Sequence, residues 1–243
     1  PSLFATHSPY AIDVNAAFMR PSATHLFGTD DTGRDVFSRV VHGTRVTLSI
    51  CAGALLLSAC IGGLLGILAG YFGGLSDLVV GRLADVILSF PPIILGIVIT
   101  GVLGPQTHNL MLALTLIYVP VFLRIARSGV LQETSLTYVE AARALGFSDI
   151  SILFVHILRN VLPLLLLQYV VLFPLILQIQ AALGFLGLGV QPPTPDWGAI
   201  LQQGKDSILN APWLSIFPGL TVLLTALGLS LVGQGLQARM HRF

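Results

Sequence analysis

Six histidines, two cysteines and 11 acidic residues are the groups in this 243-residue chain able to act as ligands, bases or nucleophiles. His7, His25, His42, His108, His156 and His241 lack the close pairwise spacing of a zinc site, so no metal site is expected. The chain has no G-x-S-x-G, H-E-x-x-H or C-x-x-C pattern and no Walker lysine loop, which leaves no catalytic constellation. His156, with no partner set near it, reads as an interface residue rather than a ligand or base. Asp77 and Asp85 sit at the edge of an apolar run, not deep within one where a proton relay would need them. Cys51 and Cys60 share one apolar stretch, where nine helical residues rise about 13.5 Å, too far for a disulfide, so both read as small core residues. Residues 28–35, GTDDTGRD, have the turn chemistry of a capped loop entering a helix. Their acidic residues would repel a phosphate, and they lack the oxygen ladder ending in a bidentate Glu that calcium requires. Gly184, Gly187 and Gly189 have neither the order nor the βαβ surroundings of a dinucleotide site.

What remains is the chemistry of a membrane. The chain is 54% hydrophobic and 9% charged, with a mean hydropathy of +0.87. A soluble domain carries about 25% charged residues. The net charge of +1 argues against a nucleic-acid-binding surface. The fold class is therefore an all-α membrane protein, with five spans expected at about 46–71, 86–103, 110–126, 161–183 and 214–236. Residues 1–44 form a polar segment with no spanning run, and Pro1 opens without the basic and apolar parts of a signal peptide.

Each span carries a feature that needs explaining. Gly62, Gly66 and Gly70 fall on one helix face, which either permits close helix packing or is glycine scattered through a permissive membrane helix. A loop is expected over 72–82, and Pro91-Pro92 should kink the second span. Residues 104–109 read as a tight hairpin, and Pro120 lies inside the third span. Gln168, Gln178 and Gln180 stand within the fourth, where an unpaired amide is costly. They either hydrogen-bond between helices or line a polar pathway. Residues 191–195, QPPTP, read as a stiff connector, and Trp197 as an aromatic suited to the membrane interface.

The polar stretch between the third and fourth spans, residues 137–163, reads as a short helix, a turn and a second helix. Ser135 is placed to cap the first helix. Tyr138, Ala141, Ala142 and Leu145 recur at helical spacing and give it an apolar, mostly small face. Glu140 and Arg143 are near enough to pair, an interaction that contributes about 0.2–0.5 kcal/mol when exposed. Gly146 falls where a helix end wants a left-handed backbone, and Ser148-Asp149 is a cap and first turn for the next helix. Counting the cations of the short loops places Arg82, Arg124, Arg127, Arg143, Arg159, Arg239 and Arg242 on the elbow's side against Lys205 opposite, so the elbow is expected in the cytoplasm.

Glu140-Ala141-Ala142, then Gly146, then an apolar helix entering a new span, resembles the EAA loop of inner-membrane permeases of binding-protein-dependent ABC importers. This chain has Leu158-Arg159 where that family often has Leu-Pro, and carries Leu162-Pro163 just beyond. Residues 25–45, HLFGTDDTGRDVFSRVVHGTR, and 184–201, GFLGLGVQPPTPDWGAIL, resemble the dipeptide and oligopeptide subgroup, the C-type partner of each heterodimer. The resemblance implies a type I ABC importer transmembrane domain over 45–238, with an extracytoplasmic segment at 1–44. It further implies a coupling loop at 134–160, in which Glu140, Ala141, Ala142, Arg143 and Gly146 dock on an ATPase. Relatives of the subgroup carry one more span ahead of this segment, so the chain is expected to be truncated or processed at its start.

The implied partners are a homologous B-type permease, two ABC ATPase subunits holding ATP and magnesium, an extracytoplasmic solute-binding protein and the lipid bilayer of a bacterial or archaeal inner membrane. This chain itself would hold no cofactor. The implied substrates are di- or oligopeptides, with nickel, glutathione or another small solute as alternatives on the same machinery. An ion-coupled secondary transporter is the alternative of a different class, although charged residues at mid-span and inverted repeats are not evident in the sequence.

Overall fold

The computed structural model describes residues 5–240. Among these the chain is helical, with one isolated bridge between Thr29 and Asp35 and no strand. The helices are α1 (Val36–Phe72), α2 (Gly74–Leu88), α3 (Pro92–Leu103), α4 (Thr107–Thr134), α5 (Thr137–Ala144), α6 (Asp149–Phe185), α7 (Trp197–Lys205) and α8 (Trp213–Met240). Of the described helices, α1, α4, α6 and α8 are long and apolar enough to cross a membrane, and α2 with α3 makes a fifth span if the bent pair counts as one.

Three expectations are corrected here. The stretch 72–82 is not a loop, because α2 begins at Gly74. The second span is not a kinked continuous helix, since α2 and α3 meet at 92° across a break at Ser89–Pro91. Pro91 disfavours helical backbone at Phe90, while Pro92 is well placed as the first residue of a new helix, so the pair terminates one helix and starts another. The second elbow helix and the fourth span are one element, α6, because residues 149–160 contain no glycine or proline to break them.

The chain divides into two compact units. In the unit formed by Ala54–Pro92, Thr115–Leu172 and Leu231–Phe243, the glycine face of α1 lies on the backbone of α4. A Cβ at Gly62 would stand 2.3 Å from the carbonyl oxygen of Val119, one at Gly66 2.3 Å from that of Leu123, and one at Gly70 3.0 Å from that of Arg127. The Ser58 hydroxyl adds a hydrogen bond to the Thr115 carbonyl at 2.9 Å. The α2 helix presents exposed Leu75, Leu78, Val79 and Leu83 and is tied to α4 by two ion pairs, Asp77 with Arg127 and Asp85 with Arg124. Cys51 is buried but Cys60 is exposed, so only the former is a core residue.

In the unit formed by Pro1–Gly53, Ile93–Leu114 and Phe173–Ser230, Asp30 and Asp196, two of its three buried aspartates, organise polar groups around them. Asp30 Oδ1 accepts hydrogen bonds from the amides of Thr32 and Arg34, both at 2.9 Å, and Oδ2 accepts from Arg34 Nε at 2.8 Å and from Arg39 Nη1. Arg39 Nη1 also reaches Gln203 Oε1 at 2.8 Å. The GTDDTGRD stretch is thus a turn closed on its own aspartate. Burial raises the Asp30 pKa, but Arg39, the Arg34 amide, the Arg34 guanidinium and Thr32 outweigh it and hold the carboxyl below its usual value.

Asp196, fully buried, caps α7 through Ala199 N at 3.2 Å and accepts from Thr47 Oγ1 at 2.6 Å and Gln180 Nε2 at 2.8 Å. Burial pushes its carboxyl up despite these donors. Trp197 is not at an interface. It is 1% exposed, and its Nε1 donates to the Val40 carbonyl at 2.9 Å, which explains why α1 begins ten residues before its apolar run: Asp35 caps it, and buried side chains hold its first turns.

Two predictions follow from the packing. Gly62→Leu or Gly66→Leu meets backbone that cannot retreat and is expected to cost about 1–3 kcal/mol, read as a lower thermal midpoint in detergent, whereas Gly81→Ala, with nothing within 4 Å, is neutral or slightly stabilising. Asp30→Asn leaves Arg39 buried without its counter-charge and is expected to cost about 3–5 kcal/mol. Because the folded carboxyl titrates below its unfolded value of about 3.9, its stabilisation is present above that pH and is lost as pH falls through the folded value. Acid titration of the wild-type midpoint should therefore show a steeper descending limb than that of Asp30→Asn, which keeps only the contribution of other carboxyls.

Candidate functional site

The elbow is built from α5, the four-residue turn 145–148 and the start of α6, and its sharpness comes from one residue. Gly146 adopts φ +81. Its amide donates to the Arg143 carbonyl at 3.0 Å and the Phe147 amide to that of Ala142 at 3.1 Å, the paired bonds of a Schellman ending. Ser148 then caps the next helix, accepting from the Ser151 amide at 3.3 Å. The start of α5 differs from expectation: its N-cap is Leu136, with no side-chain cap, and the Ser135 hydroxyl instead donates back to the Gln132 carbonyl at 2.7 Å.

The face read from spacing, Tyr138, Ala141, Ala142 and Leu145, is divided: Ala142 is buried with Val139 and Tyr138 is half-buried, while Ala141 is exposed and Leu145 is 77% exposed. Leu136, Phe147, Ile150 and Val155 of the same stretch are exposed as well, as are Glu140 and Arg159. Glu140 and Arg143 make no ion pair. The Arg143 guanidinium lies over the Tyr71 ring, 5.7 Å from its centre, and Tyr71 donates to Asp149 Oδ1 at 2.6 Å.

A second cluster lies across the elbow. Tyr138 donates to Glu133 Oε2 at 2.5 Å, and Asn160 Nδ2 reaches the same oxygen at 2.7 Å. Burial and then the bond to Glu133 push the Tyr138 hydroxyl up to about 12, so it remains a donor at neutral pH. These two clusters gather the last turn of α1 (Tyr71), the last turn of α4 (Glu133) and the early turns of α6 (Asp149, Asn160) around one short helix. Within α6, Ile152–Ile157 is wound as a π-helix, a form found mostly as short turns at functional sites, and His156 packs edge-on against Phe147. His156 is thus an elbow packing residue.

The remaining expected residues are placed as follows. Gly62, Gly66 and Gly70 face α4, as described. Gln180 is buried and bonded to Asp196, Gln168 is half-buried and Gln178 exposed. Asp77 and Asp85 are ion-paired rather than arranged as a relay. His241 and Arg242 lie outside the described residues. Sequence spacing missed Tyr71, Glu133, Tyr138 and Asn160 as a set, because they come from four different helical stretches. It also missed the meeting of His7, His25 and Asp35, whose ligand atoms lie within 4.8 Å of one another.

The turn makes a clear prediction. Gly146→Val forces a β-branched residue into left-handed backbone, a cost of about 1–3 kcal/mol, while Gly146→Asn is tolerated. Limited proteolysis of the elbow in detergent should distinguish the two, with accelerated cleavage in the valine variant alone.

Comparison with known proteins extends this geometry. The family model described as binding-protein-dependent transport system inner membrane component matches residues 62–242. A probable D,D-dipeptide transport system permease protein from Escherichia coli (strain K12) is 40% identical over 96% of this chain and 78% of its own length. A dipeptide transport system permease protein from Alkalihalophilus pseudofirmus is 41% identical over 89% of this chain and 71% of its own. A glutathione transport system permease protein from Pectobacterium atrosepticum is 39% identical over 89% of this chain and 72% of its own. Among solved structures, the MetNI methionine ABC transporter in an inward facing conformation matches with a TM-score of 0.65 at 20% identity, covering 82% of this chain and 95% of that chain, a likeness of fold. A family match over most of the chain, relatives near two-fifths identity and several membrane-length helices lead to one conclusion: the chain belongs to the family of binding-protein-dependent transport system inner membrane components and is a multi-pass membrane permease.

Proposed function

We propose that this chain is one half of the translocation pathway of an ATP-driven importer of di- or oligopeptides in a bacterial or archaeal inner membrane, and that the elbow couples it to a separate ATPase. The observation that carries the coupling is the convergence of three span ends on α5. Glu133 of α4 accepts the Tyr138 hydroxyl of α5 directly, Asn160 of α6 reaches the same Glu133 oxygen and lies 3.4 Å from the Tyr138 hydroxyl, and Tyr71 of α1 lies under the Arg143 guanidinium of α5, so a displacement of α5 is passed to all three by side-chain contacts rather than by loops. Leu145, Phe147 and Ile150 stand exposed at the elbow among exposed Glu140 and Arg143, apolar side chains of the kind that serve as anchors on a docking face.

In this reading ATP and magnesium are held by two partner ATPase subunits, and this chain contributes no catalytic group. When the ATPases close, the elbow moves with them, and the clamped helices turn as bodies to alternate access. A homologous permease completes the pathway, and an extracytoplasmic binding protein delivers the substrate. The peptide assignment is supported by the names of the relatives, which include dipeptide, D,D-dipeptide and glutathione transport systems.

The test uses the assembled transporter in proteoliposomes with labelled dipeptide outside and ATP within the ATPase compartment. Leu145→Asp with Ile150→Asp should reduce co-purification of the ATPase at least about tenfold, a loss of the size expected when an interface anchor of about 2 kcal/mol is removed. Tyr138→Phe and Asn160→Ala should leave the ATPase bound while lowering uptake per ATP hydrolysed. Uptake that follows a proton gradient without ATP, or that is indifferent to these changes and to Glu140→Lys, would overturn the coupling. ATP-driven uptake of nickel but not of peptides would overturn the substrate assignment alone.

A further inference from the structure

Three side chains with no part in the elbow meet where α1 begins. The carboxylate of Asp35 has 1% side-chain exposure and divides its oxygens: Oδ2 accepts from the Ser38 amide at 2.8 Å, and Oδ1 lies 3.0 Å from His25 Nδ1. The His7 ring stacks on that of His25, with centres 4.8 Å apart and planes 28° from parallel. His7 is held in place by its own backbone amide, which donates to Ser38 Oγ at 3.0 Å. One helical turn thus fixes donors from three separate stretches of chain. Arg34 and Arg39, from the same segment, are bonded to Asp30 and do not neutralise Asp35. Two ring nitrogens and one buried carboxylate oxygen thus gather at one point.

We propose that His7, His25 and Asp35 form a binding site for a divalent transition-metal ion of the zinc, nickel or cobalt class. Two imidazoles and one carboxylate suit such ions, whereas magnesium and calcium call for sets dominated by oxygen. At metal–ligand distances of about 2.0–2.1 Å, neighbouring ligands stand roughly 3.3 Å apart, close to the present His25–Asp35 spacing. The ligand atoms span at most 4.8 Å, and His7, which is exposed, is the ring with room to close the difference. Thr6 Oγ1, 3.0 Å from His7 Nδ1, supplies an outer partner of the kind that orients a ligating ring. The ion staples the segment before the Asp13 turn to the first turn of α1 and leaves coordination positions open to solvent.

The full chain, purified in detergent through a tag without histidine, is titrated with cobalt, nickel and zinc ions, following cobalt absorption and heats of binding. One ion per chain is expected. His7→Ala should weaken binding at least about tenfold without disturbing helicity, His25→Ala with His7→Ala should abolish it, and His108→Ala, an exposed control elsewhere, should leave it unchanged. Three outcomes would overturn the site: wild-type binding no tighter than that of the double variant, binding unaffected by either change, or equal competition by magnesium.

Discussion

The contact on which most depends is that of the α1 glycine face with the backbone of α4. With no hydrophobic force to drive helices together in lipid, close approach must come from shape, and Gly62 and Gly66 let carbonyl oxygens of α4 lie where a Cβ would otherwise stand. That approach also fixes where the two helices end. Tyr71 and Glu133 both reach the elbow because α1 and α4 run together along this face before they finish. An elbow on loosely packed helices would move without moving them.

Polar groups follow a second constraint: away from water each must find a partner. The chain meets it by placing its charged clusters near helix ends. Asp77 and Asp85 hold α2 to the arginines of α4, and Asp30 collects Arg34 and Arg39 at the start of α1. Asp196 is the costlier case, buried among neutral donors from α1, α6 and α7, with burial raising its carboxyl. Its return is geometric, since one side chain sets the register of three helices.

The elbow combines stiffness with one irregular turn. Its Schellman ending, the cap at Ser148 and two side-chain clusters determine the angle between α5 and α6. The π-wound turn at Ile152–Ile157 lies directly between this bend and the membrane-length part of α6. A π-turn interrupts the regular ladder of an α-helix and recurs mostly at functional sites, so the span changes its winding just where it leaves the elbow.

The sequence by itself determined the class of protein, the apolar spans, the bend at Gly146 and the closed turn at Asp30, because each rests on composition or on residues a few positions apart. Only the tertiary structure decided which face of α5 is buried. The spacing of Tyr138, Ala141, Ala142 and Leu145 marks apolar positions, but the fold buries Ala142 and leaves Ala141 and Leu145 exposed, a division that spacing alone does not record. The break at Pro91-Pro92 was legible as a disturbance and not as a right angle, since proline removes a hydrogen bond without dictating where the next helix goes. Trp197, Asp196 and Gln180 needed the fold for a stronger reason. Their partners, Val40 and Thr47 among them, lie far away along the chain, and no local periodicity records a contact that only packing creates.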